Sequence, residues 1–301
     1  MSRDATSRGL LFGLAAYGSW GVFPAFFPLL KPAGPGEILA HRIVWTVLFM
    51  AVLLIALRRL SDLASLSRRT WLLLVCASAL ISANWLIYIY AVNSGHVVDA
   101  ALGYFINPLV SVLLGMLLFG ERLNRPQAGA VAIAVVAVGL LATGAGAGVP
   151  WIALGLAASF GLYGAVKKVV TADPRVSVAV ETAVAAPFAV AYLVALQAGG
   201  TGQFLGNGGG HMALMLLTGP VTAVPLLCFA AAAQRLPLVT IGLLQYLTPS
   251  MQMTWGLVVG HERMTSLRWT GFALIWFALA IFSADGLRRA YRSRAGTLLP
   301  S

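Results

Sequence analysis

Long apolar runs recur along the whole chain and decide what it can fold into. A helix needs about 20 apolar residues to cross the ~30 Å hydrocarbon core of a bilayer. The runs here are continuously apolar and do not alternate, which favours helices over barrel strands. We therefore predict an all-α integral membrane protein with ten spans. These are residues 9–30, 38–57, 71–92, 98–119, 126–143, 151–170, 178–197, 211–233, 238–259 and 267–286.

Composition excludes an ordinary soluble protein. Hydrophobic residues make up 59% of the chain and charged residues 10%, whereas soluble domains are about 25% charged. The net charge of +11 does not predict nucleic-acid binding, because Lys and Arg lie in short clusters between the apolar runs. Cys76 and Cys228 lie within apolar runs, so we expect two buried free thiols. We predict no metal site and no cofactor.

The distribution of basic residues predicts the orientation. Basic residues near span ends stay on the cytoplasmic side. With a cytoplasmic N-terminus, sixteen of the 20 Lys and Arg residues, Lys167 among them, fall on that side and three fall opposite. The remaining one, Arg42, lies within a span. We therefore expect both termini in the cytoplasm, with the basic tail 288–301 near anionic lipid headgroups.

The chain also contains an internal repeat. Shifting the sequence by 141 residues aligns 71–122 with 212–263 without a gap. The shift pairs Pro108 with Pro249, Gly115 with Gly256, Glu121 with Glu262 and Arg122 with Arg263. Upstream, GLAAYGSWG at 13–21 is similar to GLAASFGLYG at 155–164. We predict two five-span repeats, residues 1–146 and 147–287.

An odd number of spans gives the second repeat the opposite orientation in the membrane. Inverted repeats are typical of secondary transporters, whose sites lie near the midplane where the halves meet. We therefore expect export or exchange of a small amphipathic metabolite or drug-like solute by alternating access. A passive channel and a non-transporting scaffold remain alternatives.

Several segments resemble a known family. They are EILAHRIVW at 37–45, NWLIYIYAVN at 84–93, ALGYFINPLVSVLLG at 101–115 and LLQYLTP at 243–249. Together they resemble the RarD family of EamA-type permeases, in the drug/metabolite transporter superfamily, from about residue 8 to 287. The resemblance implies ten helices, as two inverted five-helix EamA-type repeats, in the bacterial cytoplasmic membrane. Asp99 stands where the family pattern has Glu, which keeps the carboxylate.

Charged and titratable residues in the spans are the first site candidates. A charge in the hydrocarbon costs about 2.5–3.5 kcal/mol on insertion scales, so Arg42 should face the bundle interior or the interface. Beside it, His41 is able to titrate near neutral pH or to pack as a hydrogen-bonding residue. Glu181 corresponds to Glu37 in the repeat, and Asp99 opens the fourth span. Each of these acids is a candidate for the solute pathway or for a helix cap.

Aromatic and amide residues complete the predicted solute pathway. Aromatic faces and amide groups suit a cavity for a small organic solute, although an interfacial belt or interhelical hydrogen bonds are alternatives. The candidates are Trp20, Asn84, Trp85, Tyr88, Asn93, Tyr104, Asn107, Tyr163, Gln245 and Tyr246. Pro108 and Pro249 should kink matching helices and act in gating.

An intramembrane enzyme is the rival class. Its chemistry would need a constellation of catalytic residues, and the sequence has no HExxH, GxSxG or Walker motif. We therefore expect no catalytic residues. The expected partners are a small-molecule solute and membrane lipids, with no nucleic acid. A coupling proton or ion, and the choice between monomer and homodimer, stay open.

Overall fold

Every predicted span overlaps a helix. A computed structural model describes residues 3–120, 124–142, 150–233, 235 and 244–296. Its long helices are α1 Arg3–Gly21, α2 Pro35–Ala56, α3 Arg68–Asn93, α4 Val97–Phe119, α5 Arg125–Ala142, α6 Trp151–Val169, α7 Pro174–Ala198, α8 Gly208–Ala233, α9 Leu247–Val258 and α10 Ser266–Gly296. Residues 238–243, where the ninth predicted span begins, lie outside the described residues, as do Glu121 and Arg122.

The longest apolar helices are long enough to cross a bilayer. By length and composition these are α2, α3, α7, most of α8 and the first part of α10, five helices within the described residues. A bent pair, Ser7–Gly21 with Phe23–Leu30, makes a sixth. Shorter apolar helices occupy Val97–Asn107, Arg125–Leu141 and Trp151–Lys167. The chain is therefore a helical membrane protein, and the count of ten spans remains a prediction.

Local sequence sets the helix ends. Pro35 opens α2 and Pro174 opens α7, positions where the missing N–H has no helical partner to lose. Ser67 caps α3 by accepting from the Thr70 backbone N–H. Asp173 caps α7, and its hydrogen bonds with Arg175 lower the pKa of the Asp173 carboxyl. The helix α4 ends where Gly120 adopts a φ of 65°.

The first span is bent by 41°. After α1 ends at Gly21, the chain continues as a short helix, Phe23–Phe26, and one 3-10 turn, Phe27–Leu30. Each of these two segments has a proline at one of its first two positions, where a new helix start is tolerated. The bend places the side chains of Phe23 and Phe27 in the protein interior.

Helices from the first half of the chain pack against helices from the second half. The main pairs are α1 with α8 and α9, α2 with α7 and α8, α3 with α6 and α7, α4 with α6 and α9, and α5 with α10. Glycine permits the closest approaches: a Cβ on Gly219 of α8 would lie 2.6 Å from the Trp45 carbonyl oxygen of α2. A Cβ on Gly103 of α4 would lie 2.7 Å from the Ala153 oxygen of α6.

The outer surface of the bundle is apolar. Leu117 is 71% exposed and Phe188 is 78% exposed, as expected for side chains that face lipid. The prediction of two buried thiols was wrong, because Cys76 is exposed and Cys228 is half-buried. Both lie on apolar helices, where a thiol behaves as a small hydrophobic group and is compatible with lipid.

Acidic side chains between the helices tie distant segments together. The Glu262 carboxylate accepts hydrogen bonds from the backbone N–H groups of Val97 (2.6 Å) and Val98 (3.0 Å), so the segment after α9 caps the N-terminus of α4. Burial raises the pKa of the Glu262 carboxyl, and those two hydrogen bonds oppose the rise. Glu37 similarly accepts from the Gln203 backbone N–H at 2.7 Å, which ties α2 to the segment before α8.

We predict that Gly219→Ala lowers the thermal stability of the purified protein in detergent. The added methyl group would overlap the α2 backbone, and overpacking of this kind costs about 1–3 kcal/mol. The matched control is Gly129→Ala on α5, where the added Cβ would meet no atom of another described segment within 4 Å. An apparent melting temperature that stays unchanged in Gly219→Ala would show that the two helices separate at little cost.

Candidate functional site

Arg42 is buried in the interior of the bundle, about two turns into α2. Its side chain is 3% exposed. The Nε group donates to Thr222 Oγ1 on α8 at 2.7 Å, and the guanidinium carbon lies 4.0 Å from the centre of the Trp85 ring on α3. The rings of Phe23 and Phe27 lie 5.5 and 5.6 Å from the same atom. The guanidinium is therefore enclosed by aromatic faces.

The charge of Arg42 has no acidic partner in the described part of the chain. No carboxylate there lies within 4.0 Å of it, and its Nη groups make no hydrogen bond to the described residues. A desolvated cation over an aromatic face gains about 2 kcal/mol, while its placement in hydrocarbon costs about 2.5–3.5 kcal/mol. The aromatic rings offset much of this cost, and they leave the two Nη groups of Arg42 without a hydrogen-bond acceptor in the described residues.

An amide on α9 connects to the aromatic groups around Arg42. Gln252 Nε2 donates to the Tyr88 hydroxyl at 2.9 Å and to the Trp20 carbonyl oxygen at 3.1 Å. The Tyr88 ring lies 6.0 Å from that of Phe27. Gln252 Oε1 is buried without a partner in the described residues. Its amide therefore keeps one acceptor free.

Tyr104 of α4 extends this group toward α6. The Tyr104 ring lies 5.8 Å from that of Tyr88, and its hydroxyl donates to Asn84 Oδ1 at 3.3 Å. Asn84 Nδ2 donates to the Leu156 carbonyl oxygen at 3.0 Å and to Ser159 Oγ at 2.9 Å. We call the whole group the central cluster. Its members are Trp20, Phe23, Phe27, Arg42, Asn84, Trp85, Tyr88, Tyr104, Thr222 and Gln252.

A second cluster surrounds Glu181 on α7, which is 4% exposed. Its carboxylate accepts from the Tyr163 hydroxyl at 3.0 Å, from Lys167 Nζ at 2.7 Å and from Ser177 Oγ at 2.7 Å. Lys167 Nζ also contacts Ser177 Oγ. We call these four residues the Glu181 cluster. Unlike Arg42, the Glu181 charge is fully matched by neighbouring donors.

The predicted pair His41 and Arg42 separates in space. His41 stacks on Phe204 with ring centres 4.6 Å apart, and its Nδ1 accepts from Trp45 Nε1 at 3.1 Å. His41 Nε2 is buried without a partner in the described ranges. Together with the bond from Gln203 to Glu37, these contacts place His41 beside the segment that precedes α8. The hydrogen bond from Trp45 requires an unprotonated Nδ1, and this bond therefore assigns the proton of the neutral His41 ring to Nε2.

The amino-acid sequence is similar to those of known transporters. The model of the EamA-like transporter family matches residues 7–143. Protein RarD of Streptomyces exfoliatus is 50% identical, over 95% of this chain and 91% of the relative. Protein RarD of Escherichia coli K12 is 40% identical, over 95% and 97%. The chain belongs to the RarD family of EamA-type permeases. A relative from Vibrio cholerae, named only as an uncharacterized transporter, is 42% identical over 95% of each chain.

The fold also matches a solved structure. One crystal structure aligns with a TM-score of 0.61 at 17% identity, over 92% of this chain and 97% of that one, so the two share a fold. With its apolar helices and bacterial transporter relatives, this RarD-family chain is a multi-pass membrane protein. The names of the relatives describe transporters and indicate no catalytic family.

The remaining predicted pathway residues of this RarD-family permease lie outside both clusters. Asp99 pairs with Arg268 at 3.3 Å, at the end of α4 that Glu262 caps. The Asn93 amide and Asn107 Oδ1 are buried without partners among the described residues. Tyr246 packs against a core to which α4, α5, α6, α9 and α10 contribute, and Gln245 is half-buried just before it.

The two predicted kinks differ in the RarD-family fold. Helix α4 is continuous from Val97 to Phe119 through Pro108. Before Pro249 the helix is interrupted at Tyr246, and α9 begins at Leu247. A proline removes the hydrogen bond to the fourth residue before it, here Gln245, which accounts for the break. A role for either proline in gating stays a prediction.

Several members of the clusters were absent from the sequence prediction. They are Phe23, Phe27, Lys167, Ser177, Thr222 and Gln252. Lys167 had been counted as a basic residue of a cytoplasmic connection, yet it lies one turn after Tyr163 on α6. That spacing of four residues puts both on one helix face and was available as a signal.

A polar groove lies on the surface of the protein. It holds about 280 Å³ and is lined by residues of the connections before α3 and before α7. Its carboxylates are already paired: Asp62 with Arg59 at 3.0 Å, and Asp173 with Arg175 at 2.9 Å. The groove is thus charge-balanced, whereas the central cluster contains an unbalanced cation.

We predict that Lys167→Met destabilises the protein strongly, because it leaves the buried Glu181 carboxylate without its cation. Breaking a buried ion pair from one side costs about 3–5 kcal/mol. The Glu181→Gln/Lys167→Met double variant should lose much less than the sum of the two single variants. Melting temperatures of the four proteins in detergent measure this coupling. Additive losses would mean that the two charges contribute independently.

Proposed function

We propose that this RarD-family permease is a secondary transporter, which exports or exchanges a small amphipathic solute by alternating access. The observation that supports this most is the central cluster. It is a buried, uncompensated cation enclosed by aromatic rings, and its residues come from α2, α3 and α4 in the first half and from α8 and α9 in the second. A site at the junction of two halves is exposed to either side when the halves rock.

The helix contacts support the inverted repeat in this proposal. If α1–α5 correspond to α6–α10, the pairing of α1 with α8 and α9 becomes the pairing of α6 with α3 and α4. The pairing of α2 with α8 likewise becomes that of α7 with α3. The pairs α2 with α7, α4 with α9 and α5 with α10 map onto themselves. This is the pattern that a pseudo-two-fold axis between the halves would produce.

In the proposed cycle, two acids at corresponding places in the repeats hold the contacts that close the solute pathway. Glu37 holds the segment before α8 through the backbone of Gln203. Glu181 holds the end of α6 through Tyr163 and Lys167. In the inverted repeat these contacts lie toward opposite membrane surfaces. We propose that the Glu37 contact and the Glu181 contacts break in turn, never together. The central cluster is then open to one side of the membrane at a time.

We predict that Trp85→Ala and Arg42→Ala each lower transport at least about tenfold, equivalent to ~1.4 kcal/mol of binding. Vesicles containing the purified protein would be loaded with a bacterial metabolite extract. Mass spectrometry would then identify the solutes that leave faster than from protein-free vesicles. The control is Leu117→Ala, whose side chain is 71% exposed on the outer face. Unchanged transport in both site variants would remove the proposed site, and non-saturable flux would indicate a channel.

The inverted arrangement predicts that residues 58–70 and 198–210 emerge on opposite membrane surfaces. Ser65→Cys and Thr201→Cys would be made singly after replacement of Cys76 and Cys228 by Ala. In intact cells, a membrane-impermeant maleimide should label position 201 and should label position 65 only after the cells are broken. Labelling of both positions from the same side would contradict the inverted repeat.

A further inference from the structure

The two Nη groups of Arg42 are hydrogen-bond donors that are available to a ligand. The Nε group is occupied by Thr222, while the two Nη groups make no hydrogen bond in the described part of the protein. A guanidinium presents paired N–H donors in a fixed plane, which match the two oxygens of a carboxylate. A buried Arg whose paired donors lack an acceptor is complementary to such an anion.

The surroundings of these Nη groups suit an apolar body. Phe23, Phe27 and Trp85 lie against the guanidinium, and the Tyr88 ring meets the Phe27 ring edge to face. Aromatic walls of this kind favour a ring or a branched apolar group, with polar atoms limited to a few positions. Gln252 Oε1 is one such position, because it is a buried acceptor without a donor in the described residues.

The charges restrict the ligand further. Arg42 is the one cation of the central cluster, so a single negative charge on the solute balances it. Among the described residues, two buried carboxylates lie outside the cluster: Glu181 is neutralised by Lys167 at 2.7 Å, and Glu37 accepts a hydrogen bond from the Gln203 backbone N–H. Because the central cluster contains no carboxylate, an ammonium group bound there would have no acidic partner and would be repelled by Arg42. A dianion would leave one negative charge unbalanced in a low-dielectric interior.

We infer that the solute is a monocarboxylate with an aromatic or branched apolar body, and that the Arg42 Nη groups bind its carboxylate. This inference rests on the proposed transport function, because the solute reaches Arg42 only when the two halves move apart. Zwitterionic amino acids and organic cations are then poor ligands. Neutral molecules of the same shape bind through the rings alone.

The test compares probes that differ only in charge. Radiolabelled hippurate, an aromatic monocarboxylate with one amide N–H, would be measured for binding to the full chain in lipid nanodiscs. Competitors would be benzoate, the neutral amide of hippurate, and N-(2-aminoethyl)benzamide as the cation. We expect hippurate to bind at least about tenfold more tightly than its amide, and the cation to bind least.

The variants separate charge from folding. Arg42→Gln should weaken hippurate at least about tenfold more than it weakens the neutral amide, and Arg42→Lys should fall between. Retained binding of the amide shows that Arg42→Gln is folded; if that variant fails to fold, Arg42→Lys against the parent tests whether the paired guanidinium donors are needed at constant charge. The inference is overturned if neither hippurate nor benzoate binds more tightly than the amide, or if Arg42→Gln binds hippurate like the parent.

The same proteins distinguish this inference from the proposed function. If the parent moves neutral or cationic metabolites and Arg42→Gln moves them equally well, transport stands and the anion site is wrong. If hippurate binds as expected but no solute leaves the loaded vesicles, the site stands and the transport function is wrong.

Discussion

Hydrocarbon offers no hydrogen-bond partners, so every polar group inside the bundle depends on the protein or on a solute. This constraint explains the arrangement of the interior. Arg42 is placed where aromatic rings from the bent first span and α3, and a hydroxyl from α8, converge on it. The helices that supply these groups come from distant parts of the sequence. The need to accommodate one cation therefore links the two halves of the chain.

The interior uses two different solutions for its charges. Glu181 is surrounded by a cation and two hydroxyl donors, and its demand for hydrogen bonds is met. Arg42 is stabilised mainly by the quadrupoles of rings, which lower the cost of its charge without occupying its Nη donors. A fully matched pair favours one closed arrangement. A partly matched cation keeps donors available, and the proposed anion site depends on them.

The sequence predicts the helices and the buried charge of Arg42 better than it predicts the residues that contact Arg42. Hydropathy placed the second span at 38–57, against 35–56 for α2, and a charge inside that apolar run marked Arg42. Phe23 and Phe27 escaped prediction because a phenylalanine beside a cation has the same hydropathy as Phe188, which is 78% exposed. The partner of Asp99, which is Arg268, was likewise not predicted. The spacing of residues along a helix predicts the side of the helix on which a residue lies. It does not predict which neighbouring helix contacts that residue.

The contact of α8 with α2 at Gly219 has a mechanical consequence. Thr222 lies one turn after Gly219, and Arg42 lies one turn before Trp45, so the hydrogen bond between Arg42 and Thr222 flanks the point where the two backbones touch. With no side chain between the two backbones, α2 and α8 separate at this point only if that bond breaks. In the proposed cycle, this contact is the pivot on which the two helices tilt. Arg42 lies one turn from the pivot, so such a tilt would move it less than it moves the ends of the bundle.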